Sequence, residues 1–186
     1  ILVGTQILAK GHDFPHLNLV GVVNADSMLY SNDFRASERL YALLTQVAGR
    51  AGRGERDGEV VVQTFTPHHP SIQFARHHDF EGYAEQELEF RKQFHFPPYP
   101  HMAMITVRST HMERAEFSLK NLHLRITKAL PESNPDQITI SEPVPSPLVK
   151  SHDQFRYQIT LRANQARKMT ALIRSVLKDM TFPEDV

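Results

Sequence analysis

Three apolar runs organise the first third of the chain: Ile1–Val3, Leu17–Val23 and Val60–Phe65. Each is nearly continuous instead of alternating, which predicts strands buried on both faces of a mainly parallel sheet. Between the second and third runs, Leu40, Leu43, Leu44 and Val47 recur at helical spacing and predict a crossover helix over Ser37–Ala51. Residues 1–69 therefore read as α/β. From Pro70 to Phe94 a polar, helix-favouring stretch carries Ile72, Phe74, Phe80, Tyr83, Leu88 and Phe94, and Pro97-Pro98-Tyr99-Pro100 ends it. Residues 70–100 thus form a connecting helix and a Pro-rich junction.

Residues 101–186 carry a different rhythm. Met102–Val107 predicts a strand, and Ala115, Leu119, Leu122, Ile126 and Ala129 mark a helix. Ile138–Ile140 follows as a short strand, then a Pro-punctuated excursion through Pro143, Pro145 and Pro147. Phe155–Leu161 alternates cleanly, with Phe155, Tyr157, Ile159 and Leu161 on one face and Arg156, Gln158, Thr160 and Arg162 on the other. Met169, Leu172, Ile173, Val176 and Met180 stripe a closing helix. The pattern is β-α-β-β-α, a small α+β domain.

Composition narrows the class. With 40% hydrophobic and 23% charged residues, and no apolar run long enough to span a bilayer, the 186-residue chain reads as globular and cytoplasmic, without a membrane partner. The opening has neither a basic n-region nor an apolar h-region, so it reads as an internal start and not as a signal peptide. The absence of cysteine excludes disulfides. Net charge is zero, so any contact with nucleic acid has to come from local patches. Eleven histidines include the pairs His68-His69 and His77-His78, but adjacent histidines on a helix diverge by about 100° and none falls in an H-E-x-x-H spacing. The pairs read as surface histidines, and no metal site is expected.

The densest chemistry is QVAGRAGR at 46–53. On a helix, Gln46, Arg50 and Arg53 project from one face while the leucines pack on another. Two guanidiniums aimed at one point repel unless an anion lies between them, and their planar forks suit phosphate oxygens. Taken alone, the run reads equally as a solvated, Arg-rich helix end with glycine stops. A second motif lies upstream, ILVGTQILAKGHDF at 1–14, where an apolar run enters a Gly-Thr turn and Lys10-Gly11-His12-Asp13 follows. Thr5 suits a phosphate contact, Gly11 a close backbone approach and Asp13 a ribose hydroxyl. Helix capping is the competing role for Thr5 and Asp13.

These two segments resemble motifs V and VI of superfamily 2 helicases. The stretches DFRASERLYALLTQVAGRAGRG at 33–54, GEVVVQTFTPHHPSI at 58–72 and AEQELEFRKQFHFPPYP at 84–100 resemble the PriA family of primosomal replication-restart helicases, as do SEPVPSPL at 141–148 and FRYQITL at 155–161. The resemblance covers nearly the whole chain. It implies the distal part of a RecA-like second helicase lobe, followed by a C-terminal domain from which a last strand is missing, leaving a sheet edge unpaired.

The same resemblance implies a 3′-to-5′ DNA helicase of bacterial replication restart, working with ATP and Mg²⁺ at the nucleoid. Gly4, Thr5, Gln6 and Lys10 would lie near the DNA backbone, and Gly11, Asp13 and Gly49 near the nucleotide. Gln46, Arg50 and Arg53 would face the γ-phosphate, with Arg53 as the finger. Asn24 and Ser31-Asn32 depart from the family pattern at loop positions. The family's zinc module has no counterpart in this cysteine-free chain, and no G-x-x-x-x-G-K-[ST] cradle occurs in it. The chain alone is therefore expected not to hydrolyse ATP. Arg156, Gln158 and Arg162, with Lys150 nearby, form a second candidate, a face for DNA, for the acidic tail of single-stranded DNA-binding protein, or for other primosome proteins. An ordinary solvated sheet face is the alternative, and a non-catalytic adaptor or another superfamily 2 motor are the rival readings of the whole.

Overall fold

The computed structural model describes residues 1–5, 17–49, 51 and 58–186. They divide into two compact units, Ile1–Phe90 and Arg91–Val186.

In the first unit, β1 (Leu19–Val22) pairs in parallel with β2 (Glu59–Val62), with Leu19 opposite Glu59 and Val22 opposite Val62. Helix α1 (Asp26–Leu29) and helix α2 (Ala36–Ala48) lie between them in sequence, and α3 (Pro70–Arg76) and α4 (Phe80–Gln93) follow. The core joins Ala25, Leu40, Tyr41, Leu44, Ile72, Ala75 and Tyr83. Thus residues 70–83, expected to connect two domains, supply a large part of the first unit's core. Tyr41 and Tyr83 stack with ring centroids 4.2 Å apart, and the Tyr83 hydroxyl lies 3.0 Å from Ser37 Oγ, fastening α4 to the first turn of α2. Burial pushes the Tyr83 phenol well above the usual phenol range, so it stays a neutral hydrogen-bonding group.

Three sequence expectations fail here. Ile1–Val3 forms no strand, and all three residues are exposed. Its apolar run states what the segment would bury, but a strand also needs a paired neighbour, and no described strand pairs with it. Nor are β1 and β2 buried on both faces. Their burial alternates, with Leu19 58% and Val61 51% exposed, because among the described residues the helices cover one face only. Helix α2 also stops at Ala48, three residues before the expected end.

Buried Asp26 organises the chain after β2. Its carboxylate accepts from Thr64 Oγ1 and the Phe65 amide, both at 2.9 Å, and from Thr66 Oγ1. These donors, Thr66 foremost, hold its pKa at about 2 against the opposing effect of burial. His69 caps α3, its Nδ1 accepting from the Ser71 amide, and Pro70 occupies the first turn.

The second unit is an antiparallel sheet with two helices. Strand β3 (His101–Ser109) leads to α5 (Met112–Ala129), then come β4 (Thr139–Ile140), β5 (Val144–Ser151), β6 (Gln154–Ala163) and α6 (Ala166–Lys178). β6 is the hub: β3 runs along one edge, and β4 and β5 share the other. Strand β5 is an addition to the expected pattern. Its prolines disguise it in the sequence, but an edge strand tolerates a missing N–H, and the register shifts between Pro145 and Lys150. Tyr157, Ile159, Leu161 and Ala163 pack against Ala115, Leu119, Leu122 and Ile126 of α5 and Met169 and Val176 of α6. The expected alternation of β6 holds from Tyr157 to Ala163, whereas Phe155 is only half-buried, like its neighbours. No strand pairs the outer edge of β3 among the described residues.

Candidate functional site

Two places carry the candidate chemistry, one in each unit. In the first, Asp33 sets the start of α2. It accepts from the Arg35 backbone and guanidinium at 3.0 Å and pairs with Arg39 at 2.6 Å, contacts that hold its carboxyl below the usual range, the Arg35 hydrogen bond foremost. Leu40, Tyr41, Leu44 and Val47 are buried, and Gln46 on the same helix is exposed. The packed face therefore fixes the rotation of α2 and turns the Gln46 carboxamide to solvent. Gly49 caps the helix with φ −69°, its amide donating to Thr45 O at 3.1 Å. It is not a left-handed stop, and an added Cβ there would meet only ordinary contacts.

Arg50 and Arg53, as well as Gln6, Lys10, Gly11 and Asp13, lie outside the described residues. Gly4 and Thr5 are exposed and, among the described residues, make no hydrogen bond. Among the described residues, Gln46 and Gly49 lie close together at the C-terminal end of α2.

The second place is the sheet face turned away from α5 and α6. Register puts Met102 opposite Arg162, Met104 opposite Thr160, Thr106 opposite Gln158 and Arg108 opposite Arg156. Because Tyr157, Ile159 and Leu161 must face the helices, the even-numbered residues of β6 must face away. Gln154 completes the row on β6. The row across the two strands contains three arginines and no acid. Arg162 sits 5.1 Å from the centroid of the Phe96 ring, a cation–π contact. The Nε atoms of Arg156 and Arg162 are both buried without a hydrogen-bond partner.

Lys150 does not join this row. It is the cross-strand partner of Phe155, its Nζ lies 5.4 Å from that ring, and it pairs with Asp153 at 3.1 Å. Register thus assigns it to the opposite side from Arg156. The sequence reading missed Arg108, which lies one residue beyond the expected strand Met102–Val107. Extending the alternation Met102, Met104, Thr106 by one step would have found it.

Four of the described histidines serve the backbone. His69 caps a helix, and His78, His95 and His152 adopt positive φ of 51–55°, a region in which histidine is enriched. Among the described residues no group of three His, Asp or Glu side chains is placed to hold a metal ion. Among the same residues, no helix is long and apolar enough to cross a membrane.

The structure thus defines a mixed α/β protein with a small parallel sheet in one unit and an arginine-bearing antiparallel sheet in the other. Residues 92–181 match the family described as the primosomal protein N C-terminal domain. The replication restart protein PriA of Bacillus subtilis is 39% identical over 178 residues, 96% of this chain and 22% of that protein. Its namesake in Haemophilus influenzae is 40% identical over 162 residues, 87% of this chain and 22% of that protein. That of Treponema pallidum is 37% identical over 186 residues, all of this chain and 28% of the relative. The chain belongs to the PriA family, and it spans about a quarter of the length of these relatives.

Proposed function

We propose that this chain forms part of an ATP-dependent 3′-to-5′ DNA helicase of replication restart, with the first unit belonging to the second RecA-like motor lobe. The observation that carries the reading is the orientation of α2. Its packed face leaves Gln46 exposed one turn before Gly49, directly ahead of the arginines of QVAGRAGR. An exposed carboxamide at a helix end fits a hydrogen bond to a nucleotide phosphate.

In this reading Arg50 and Arg53 approach the γ-phosphate across a cleft whose other wall supplies the phosphate loop and the carboxylates that hold Mg²⁺. Arg53 offsets the charge that develops during transfer, an effect worth about 10³–10⁵ in rate for an arginine finger. Gly11 and Asp13 contact the nucleotide, and Gly4, Thr5, Gln6 and Lys10 contact the DNA backbone. The work is that of a bacterial cytoplasmic protein at stalled or repaired forks, with primosome proteins as partners. Zinc, where such a protein carries it, is held outside this cysteine-free chain. The test is DNA-stimulated ATP hydrolysis by a hybrid in which this chain replaces the matching segment of its Bacillus subtilis relative. The hybrid should hydrolyse ATP and Arg53→Ala should silence it with fork binding retained; normal turnover in the variant sinks the finger assignment.

A second role is favoured by the acid-free row of Arg108, Arg156 and Arg162. It supports a nucleic-acid contact made by the open sheet face of the second unit, whether or not the motor is intact. Single-stranded DNA-binding protein is the alternative occupant of that face.

A further inference from the structure

Of the four pairs that β3 and β6 set opposite each other on the open face, Met102–Arg162, Met104–Thr160, Thr106–Gln158 and Arg108–Arg156, only the last sets like charges against each other. Directly opposed like charges destabilise a sheet. Among the described residues neither guanidinium makes a hydrogen bond or an ion pair, and Arg156 Nε is buried and unpartnered. The neighbouring acids are engaged elsewhere, Asp153 by Lys150 at 3.1 Å and Asp185 by Arg114 at 2.9 Å. The pair is therefore a cost to the fold that an anion would convert into a gain.

The surrounding geometry gives such an anion a seat. A cleft of about 210 Å³ is lined by Arg108, Ser151, His152, Gln154 and Arg156. Its rim is the two-residue turn between β5 and β6, where His152 and Asp153 have φ of 51° and 60°, the paired positive values of a tight hairpin. Ser151 Oγ lies 3.0 Å from His152 Nδ1, so the rim donors are held together.

We propose that this cleft is a phosphate subsite that seats one backbone phosphodiester of a nucleic-acid strand lying over the open sheet face. The proposal rests on the nucleic-acid role suggested above for that face. Two guanidinium forks, a hydroxyl, an imidazole and a carboxamide offer more donors, from more directions, than the two oxygens of a carboxylate can use. All five lining residues are polar or charged, so no apolar wall is present to hold the residues beside a peptide carboxylate.

The test combines NMR with binding on the 186-residue chain. Inorganic phosphate and an oligo(dT) strand should both shift the backbone amides of Ser151, His152 and Gln154, and an acidic peptide with a free C-terminus should not. Arg108→Gln and Arg156→Gln should each abolish those shifts and weaken oligo(dT) binding about tenfold. The double variant should be little worse than either single one, because one anion uses both guanidiniums. Arg156→Lys should recover part of the affinity. Loss of binding through unfolding is separated by the melting temperature, which neutralising one arginine should leave unchanged or raise.

If oligo(dT) binds but the cleft amides stay still, and Arg162→Gln costs as much as Arg156→Gln, the subsite falls while the open-face reading stands. If oligo(dT) does not bind, both fall. If the peptide alone shifts the cleft amides, the ligand is a carboxylate and the phosphate assignment is overturned.

Discussion

Ile159 and Gln158 are neighbours on β6 with opposite environments, and replacing each by alanine measures whether the face bearing Gln158 is open. Ile159 is fully buried against α5 and α6, whereas Gln158 lies on the other face opposite Thr106. Ile159→Ala removes three carbons, about 2.4 kcal/mol in transfer at about 0.8 per carbon. The residual cavity raises the cost to about 3–5 kcal/mol, since helices on one side and sheet on the other leave little room for collapse. With a urea slope of about 1–2 kcal/mol per molar, the midpoint should fall by about 2 M. Because such a loss approaches the stability of a small unit, Ile159→Val serves as the milder probe at about 1 kcal/mol. Gln158→Ala should cost less than about 0.5 kcal/mol. The assay is urea unfolding followed by circular dichroism and tyrosine fluorescence, the chain having no tryptophan. If Gln158→Ala destabilises as much as Ile159→Ala, the second face is a packed surface, and the case for a nucleic-acid contact there collapses.

Three further outcomes follow from the titratable groups. The folded pKa of Asp26, about 2, is below its ordinary 3.8, so its contribution is complete above pH 4 and is lost as pH falls towards 2. Acid titration of the first unit should show that loss, and Asp26→Asn should flatten it; an unchanged profile would exclude the Thr64–Thr66 network as its source. Burial, opposed by the charges of Glu87 and Asp26, lowers the pKa of His69, whose Nδ1 must stay unprotonated to cap α3. Stability of the first unit should therefore decline as pH drops below about 6.5, and His69→Asn, which caps without titrating, should remove that decline. A persistent decline in the variant would assign it to another group. Asp185 accepts from Ser109, Thr110 and Arg114, so Asp185→Ala should speed amide exchange across Ser109–Arg114 while leaving Leu119–Ile126 protected. Exchange that stays slow at Ser109–Arg114 would show that the loop does not depend on this carboxylate.

The legible parts of the sequence were those in which one face alone is buried. The alternation at 155–161 gave β6 and both its faces, and the leucine spacing gave α2 with Gln46 outward. Continuous apolar runs misled, because Leu19 and Val61 look like interior residues yet lie on an uncovered face. Strand β5 was hidden by prolines that only an edge position tolerates. Arg108 was lost because the expected strand stopped at Val107, and with it the opposed arginine pair, since cross-strand register is not encoded in either strand alone. The roles of His69, His78, His95 and His152 depend on caps and left-handed backbone, which periodicity does not report.

The position of β6 at the centre of its sheet has a consequence for how the second unit is made. β3, β4 and β5 all pair with β6 and, among the described residues, with no other strand, so His101 waits for Ala163 and Ser109 for Phe155. During synthesis, β3 and α5 leave the ribosome with no strand to close against, and their apolar faces stay uncovered until β6 emerges. Then three pairings become available almost at once. Assembly of this unit should be late and abrupt, and the interval before residue 163 appears is when it is most exposed to aggregation and most dependent on chaperones.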